Sequence, residues 1–147
     1  MSQASPPPPP GVDGPDEIEA RLLAAAWAVR DAAVCTYSGF AVGAALEDDE
    51  GRVWTGANVE NASYTLGLCA ERVALFYALV HGGRGFRRVV VVTDTPHVTS
   101  PCGACRQILW EFAKDATIVL ANRRGELLRV TMPQLLPLGF DDDALVR

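Results

Sequence analysis

The sequence predicts an α/β fold, a three-layer α/β/α sandwich in which a mixed five-stranded sheet lies between helices. Three observations support this prediction. The four valines Val89–Val92 form an apolar run typical of a strand buried on both faces. Stretches with helical spacing of apolar residues alternate with strand-like stretches along the chain. Finally, 147 residues suffice for one domain with a buried core.

The first predicted elements are a helix and a hairpin. Asp16 and Glu19 form a capping-box pattern, and helical spacing of apolar residues continues to about Val34. The following stretch, FAVGAALEDDEGRVWTGANVE, predicts an apolar strand, an Asp-Asp-Glu-Gly turn and a second strand through Trp54.

The rest of the chain supplies the other layers. The stretch LGLCAERVALFYALV predicts a buried helix, and RRVVVVTD predicts the central strand. The apolar side expected for that helix consists of Val73, Leu75, Phe76, Leu79 and Val80. CGACRQILWEFAK predicts another helix, with Ile108, Leu109 and Phe112 directed inward. ATIVLAN and ELLRVTM predict two strands around a turn, and MPQLLPLGF a short terminal helix or turn.

The composition argues against a nucleic-acid-binding or membrane protein. A formal charge of -5 argues against nucleic-acid binding, which needs a basic face. No apolar run approaches the roughly 18 residues of a membrane span, and the N-terminus lacks a secretory signal. We therefore expect a cytoplasmic protein. Residues 1–15 contain five consecutive prolines and predict a disordered, extended tail, which leaves residues 16–147 as the domain.

Three cysteines are the main chemical signal. Cys69 and Cys102 each lie at the predicted start of a helix, and Cys105 follows Cys102 after two residues. Helix starts stabilise thiolates, and three thiolates suit Zn²⁺ with a fourth position left for water. The cysteines alone leave other readings open: a redox pair, buried apolar residues, or a structural zinc site closed by Cys35. We expect Cys35 to lie in the core.

Glu71 favours a catalytic site. It lies two residues after Cys69, in the first turn of the predicted helix. A carboxylate there can face the open position of a metal without binding it, and can move a proton to and from water. A glutamate near a helix start also interacts favourably with the helix dipole. That explanation does not account for its place between a thiol and Arg72.

The motifs CAER and PCGACRQ together resemble the three-cysteine form of the zinc-dependent deaminase signature. The stretches YSGFAVGAAL, GANVENASY and LLPLGF are similar to those of the small homotetrameric cytidine deaminases. This resemblance extends from about Arg21 to Phe140. Ala41 departs from it, since many members have proline there, and the proline-rich tail is not a family feature.

The resemblance implies a role for each matching residue at the metal. Cys69, Cys102 and Cys105 would bind one Zn²⁺ per chain, and Glu71 would be the catalytic proton carrier. Arg72 would donate to the zinc thiolates, which withdraws electron density from three negative sulfurs.

The resemblance also implies substrate contacts and a reaction. Asn58 and Glu60 would bind the ribose, chiefly at its 3′-hydroxyl. The other implied substrate-binding residues are Phe40 against the base, Ala62, Tyr64, the backbone around Ala70, and Phe140, partly across subunits. The implied reaction is hydrolysis of cytidine, and of 2′-deoxycytidine, to the uridine form with release of ammonia, as in pyrimidine salvage. The implied assembly is a homotetramer with sites at subunit interfaces.

Three alternatives remain at this point. One is a deaminase of the same fold that acts on a nucleoside antibiotic such as blasticidin S. The second is a structural zinc module in which Cys35 is the fourth ligand. The third is a thiol redox protein in which Cys102 and Cys105 form a reversible disulfide.

Overall fold

The computed structural model describes residues 13–145, so residues 1–12 of the predicted tail and residues 146–147 lie outside the described part. The helices are α1 (Glu17–Arg30), α2 (Ala70–Val80), α3 (Gly103–Phe112) and α4 (Met132–Leu135). The strands are β1 (Val42–Glu47), β2 (Val53–Ala57), β3 (Arg88–Thr93), β4 (Thr117–Asn122) and β5 (Leu127–Thr131). Two 3₁₀ turns cover Tyr64–Leu66 and Asp142–Ala144. This sequence of helices and strands confirms the predicted order.

The strands form one mixed sheet in the order β2-β1-β3-β4-β5. β3 and β4 are parallel, whereas the β1–β2, β1–β3 and β4–β5 pairs are antiparallel. β3 lies at the centre, and Val89–Val92 are at most 3% exposed. A strand buried on both faces needs apolar residues at every position, which is why the four valines predicted it correctly.

Helices cover both faces of this sheet. On one face, Leu22 and Ala26 of α1 pack against Val90 and Val92. On the other face, α2 and α3 pack against the alternate side chains of the same strands, and Leu109 of α3 is 1% exposed. The fold is therefore the predicted three-layer α/β/α sandwich. Among the described residues, none of the helices has the length and apolar character that crossing a bilayer requires.

Two glycines bring the helices unusually close to the sheet. A Cβ at Gly43 would lie 2.0 Å from the carbonyl oxygen of Ala26 in α1. A Cβ at Gly56 would lie 2.4 Å from the amide nitrogen of Ala74 in α2. Gly43 and Gly56 are on the paired strands β1 and β2 and face opposite layers. Each glycine therefore sets the distance of one helix layer from the sheet.

The sequence misjudged some helix ends and faces. α1 ends at Arg30 rather than near Val34, which instead forms an isolated bridge with Val59. In α2, Leu75 is fully buried as predicted, but its buried neighbours are the small residues Ala74 and Ala78, whereas Val80, predicted on the apolar side, is 78% exposed. Phe112, predicted to point inward from α3, is 42% exposed. Close helix–sheet packing at a glycine favours alanine inside, and large residues then lie at the rim.

The N-terminal end of α1 is tied to the sheet by charge. The predicted capping box is present, with Asp16 and Glu19 each accepting from the other's backbone N–H. Arg129 of β5 donates to both carboxylate oxygens of Glu19, at 2.8 and 2.5 Å. Glu19 is only 3% exposed, and this bidentate ion pair satisfies its buried charge.

Candidate active site

The candidate site lies where α2 and α3 begin, beside the carboxyl end of β3. Cys69 is the N-cap of α2, Cys102 is the N-cap of α3, and Cys105 lies in the first turn of α3. Neither Cys69 nor Cys102 makes a side-chain capping hydrogen bond. Both helix starts therefore direct free backbone N–H groups and sulfur atoms toward one place, as the sequence predicted.

The three sulfurs form a compact cluster. All three Sγ atoms lie within 4.8 Å of one another, and those of Cys69 and Cys102 are 3.7 Å apart. Zinc–sulfur bonds of about 2.3 Å in a tetrahedron place sulfurs about 3.8 Å apart. The donor set is therefore of the right type and spacing for Zn²⁺. Cys35 does not belong to this cluster, so a four-thiolate site that includes it is not formed.

Local hydrogen bonds favour a thiolate at Cys69. The hydrogen bond that Cys69 accepts from Cys105, with a further one from Arg72, lowers the pKa of Cys69 to about 5. The same hydrogen bond and burial raise the pKa of Cys105. The pair thus shares one proton near neutral pH, and a divalent cation can replace that proton.

Arg72 is the cation beside the sulfurs. Its Nη2 lies 3.6 Å from the Sγ of Cys69 and 3.4 Å from the carbonyl oxygen of Gly67. Its Nε is buried and finds no hydrogen-bond acceptor in the part of the chain that the structure describes. A guanidinium with a spare buried donor suits a cluster that becomes more negative as its thiols lose protons.

Glu71 is a buried carboxyl group next to the cluster. It is 4% exposed, and it lines the cleft together with Cys69 and Cys102. Burial raises its pKa to about 7. A carboxyl group with a pKa near 7 can both accept and donate a proton at neutral pH, which suits it to general acid–base catalysis.

Arg106 holds the loop that carries the ligands, although the sequence analysis assigned it no role. Its guanidinium donates to the carbonyl oxygen of Pro101 at 2.8 Å and to the hydroxyl of Ser100 at 2.7 Å. It also donates to the carbonyl oxygen of Leu135 at 2.9 Å. Arg106 therefore fixes the residues that precede Cys102.

A cleft of about 360 Å³ opens over the sulfurs. This volume is within the usual range for a small-molecule site. The predicted site residues that line it are Phe40, Asn58, Glu60, Tyr64, Cys69, Glu71, Arg72 and Cys102. The structure adds residues that the sequence analysis did not select, namely Val42, Val59, Gly67, Leu68, Val91, Thr93, Thr99 and Ser100. Thr99 and Ser100 directly precede PCGAC, which is the one signal that could have identified them.

Asn58 and Glu60 are anchored to the loop that leads into β1. Asn58 accepts from the N–H of Val42 and donates to the carbonyl oxygen of Phe40, both at 2.8 Å. The carboxylate of Glu60 accepts from the N–H groups of Tyr37 and Ser38. Both side chains thus bind backbone while they also line the cleft.

Three predicted substrate-binding residues lie away from the cleft lining. Ala62 is exposed, and Ala70 is fully buried as the first residue of α2. Phe140 is 57% exposed, and its carbonyl oxygen accepts from Gln107 at 2.7 Å. Their implied contacts require a bound nucleoside or a second chain and stay predictions. Cys35, expected in the core, is half-buried because α1 ends before it.

Comparison with known proteins places this site in a family. The model of the cytidine and deoxycytidylate deaminase zinc-binding region matches residues 16–121. A cytidine deaminase of Halalkalibacterium halodurans is 45% identical over 81% of this chain and 91% of its own length. One of Sporosarcina psychrophila is 40% identical over 85% of this chain and 93% of its own.

Solved structures agree with these relatives. The crystal structure of a cytidine deaminase from Burkholderia pseudomallei has a TM-score of 0.80 and 45% identity, covering 82% of this chain and 98% of that one.

A more distant relative, a blasticidin-S deaminase of Bacillus cereus, is 30% identical over 67% of this chain and 76% of its own length.

The fold, the thiolate cluster and the buried glutamate define a zinc-binding enzyme of the deaminase class. Within that class, the chain belongs to the cytidine and deoxycytidylate deaminase family. Membership of this family excludes the redox and purely structural readings.

Proposed function

We propose that this enzyme hydrolyses cytidine, and also 2′-deoxycytidine, to the uridine form with release of ammonia. One observation carries the proposal: the buried carboxyl group of Glu71 lines the same cleft as Cys69 and Cys102, next to Cys105. A metal-binding cluster and an adjacent proton carrier in a nucleoside-sized cleft are the parts that hydrolysis of an aromatic amine requires.

The side chains divide the chemistry as follows. Cys69, Cys102 and Cys105 would hold the zinc ion, which supplies Lewis acidity that makes water a nucleophile near neutral pH. Glu71 takes a proton from the attacking water as its oxygen bonds to C4 of the cytosine ring. Glu71 delivers this proton to N3 of the ring. It then carries the proton of the new C4 hydroxyl to the amine, so that the C4–N bond breaks, ammonia leaves and the C4 carbonyl of the uridine form results.

Asn58 and Glu60 are the proposed sugar contacts. Both line the cleft, and we propose that they form hydrogen bonds with the 3′-hydroxyl of the nucleoside. A site that reads the 3′-hydroxyl tolerates loss of the 2′-hydroxyl. The charge of Glu60 would repel a 3′-phosphodiester, so cytosine within single-stranded DNA or RNA should react far more slowly than the nucleoside. Equal rates would remove this role from Glu60.

Turnover by a Glu71→Gln variant tests the proposal. Amide for carboxylate keeps the shape and removes the proton carrier, so we expect kcat to fall about 10²–10⁴-fold. Zinc content should stay at that of the unchanged enzyme. Glu111→Gln is the matched control, because Glu111 is exposed on α3 away from the cleft. Zinc bound, with cytidine untouched by the unchanged enzyme, would refute the substrate.

Deamination of a nucleoside antibiotic is the second candidate, and the similarity to a blasticidin-S deaminase supports it. Two observations favour cytidine as the substrate. The chain is more similar to the cytidine deaminases, and it carries the Asn58–Glu60 pair proposed to bind the ribose. Initial rates with cytidine, 2′-deoxycytidine and blasticidin S, compared as kcat/KM, discriminate between the candidates. A kcat/KM for blasticidin S above that for cytidine would reverse the assignment.

We propose that the enzyme assembles as a homotetramer with sites at subunit interfaces. Large apolar side chains exposed on α2 and in the C-terminal segment support it, since they suit burial against another chain. These are Phe76, Tyr77, Val80, Leu138 and Phe140. Sedimentation equilibrium gives the mass directly, and a monomer that deaminates cytidine at full rate would contradict sites shared between subunits.

The proposed cellular role is salvage of pyrimidine nucleosides in the cytoplasm. The support is chemical, since the proposed reaction converts one free nucleoside into another. Growth of a pyrimidine-requiring strain on cytidine, with and without this protein, tests the role. Fractionation of those cells tests the location.

A further inference from the structure

The carboxylate of Glu60 is held by its neighbours before any ligand arrives. Its Oε2 accepts from the N–H of Tyr37 at 2.8 Å and from the N–H of Ser38 at 3.1 Å. Its Oε1 accepts from the hydroxyl of Ser38. Three hydrogen bonds from two consecutive residues leave this side chain little freedom to rotate.

The hydroxyl of Ser38 has a second partner. It accepts from the N–H of Phe40 at 3.0 Å. A hydroxyl donates one hydrogen bond and can accept others, so both contacts form at once. Between them, Gly39 has a φ of +67°, a backbone conformation that favours glycine and turns the chain so that residue 40 meets the hydroxyl.

We propose that Ser38 is a positioning residue, whose one hydroxyl fixes both Glu60 and Phe40 for the nucleoside. This inference rests on the proposed function. Glu60 and Phe40 line the cleft over the sulfurs, whereas Ser38 lines an adjoining hollow of about 290 Å³ and not the cleft itself. Ser38 therefore acts through these two residues rather than on the substrate.

The bonding pattern shows what the hydroxyl contributes. With Oε2 engaged by two backbone N–H groups, Oε1 is the oxygen with capacity left for a sugar hydroxyl. Ser38 directs that oxygen, and its hydrogen bond to the carboxylate lowers the pKa of Glu60. Without the hydroxyl, Oε1 can rotate away while both backbone contacts persist.

A Ser38→Ala variant tests the inference with cytidine as substrate. We expect KM to rise about tenfold, with kcat changed less than about twofold, because the metal and Glu71 are untouched. Zinc content should not change. Ser38→Thr, which restores a hydroxyl, should recover most of the affinity. The matched control is Ser63→Ala, since Ser63 is an exposed serine nearby whose hydroxyl lies 3.5 Å from that of Thr65.

A pair of substrates separates positioning from general loosening. The unchanged enzyme should prefer 2′-deoxycytidine over 2′,3′-dideoxycytidine, which lacks the 3′-hydroxyl, and this preference should fall toward one in Ser38→Ala. Equal losses for both substrates, or an unchanged KM, would overturn the role of Ser38 and leave the proposed function intact. Zinc-loaded unchanged enzyme that deaminates neither nucleoside would overturn the proposed function and this role with it.

Discussion

Replacing Gly56 by alanine should damage the site from a distance. Gly56 is in β2, and a Cβ there would lie 2.4 Å from the amide nitrogen of Ala74 and 2.8 Å from the carbonyl oxygen of Ala70. Both atoms are backbone of α2, so no side-chain rotation relieves the contact. Helix α2, whose N-cap is Cys69, must move instead.

The size of the effect follows from these distances. Ordinary contact begins at 3.4 Å, so α2 must move by about 1 Å. Overpacking of this kind costs about 1–3 kcal/mol of unfolding free energy. A displacement of about 1 Å in a catalytic group costs about 100-fold in rate. Because Cys69 and Glu71 lie in the displaced turn while Cys102 and Cys105 lie on α3, both zinc retention and kcat/KM should fall.

Gly43→Ala is the matched control. Its Cβ would lie 2.0 Å from the carbonyl oxygen of Ala26, so it displaces α1 on the opposite face, which contributes no residue to the cleft lining. We expect similar or greater destabilisation, with kcat/KM per bound zinc retained within a few fold. Denaturant unfolding, zinc analysis and cytidine turnover on both variants provide the comparison. Equal loss of activity in the two, or full activity in Gly56→Ala, would refute the reasoning.

Three further outcomes are expected. Arg72→Gln should keep zinc but lower kcat about tenfold, because the thiolates lose their cationic donor; unchanged turnover would contradict this. Arg106→Met should lose zinc to a chelator about tenfold faster by freeing the loop before Cys102, and equal rates would exclude that role. Glu19→Gln should lose about 1.5–3 kcal/mol of unfolding free energy at pH 7. Since Arg129 lowers the pKa of Glu19 below its ordinary 4.5, this loss should shrink as pH falls through that lowered pKa; a constant difference between pH 7 and pH 3 would contradict it.

The sequence predicted the fold well where local patterns are decisive. The capping box at Asp16, the four valines of β3 and the turn between β1 and β2 depend on neighbours in the chain, and each was confirmed. The buried face of α2 was predicted correctly at Leu75 but wrongly at Phe76 and Val80, because close approach to Gly56 places Ala74 and Ala78 against the sheet. That contact joins residues distant in the sequence, and no helical periodicity reports it.

The site residues could be predicted where the residue type itself indicates the chemistry. Thiols at two helix starts and Glu71 beside them could be read directly, and the structure brings them together. Ser38 and Arg106 could not be found this way, because serine and arginine are common at surfaces. Their roles appear only in which backbone atoms they reach.

Cysteine at the two helix starts has a consequence for how this chain can evolve. Serine, the closest isostere, is a better N-cap that stabilises a helix by about 1 kcal/mol, but its oxygen is a harder ligand that suits zinc less well. At Cys69 and Cys102 the residue that best stabilises the helix is therefore not the one that serves the site. Selection for helix stability alone would favour serine at both positions, so libraries built on this scaffold must hold both cysteines fixed to preserve function.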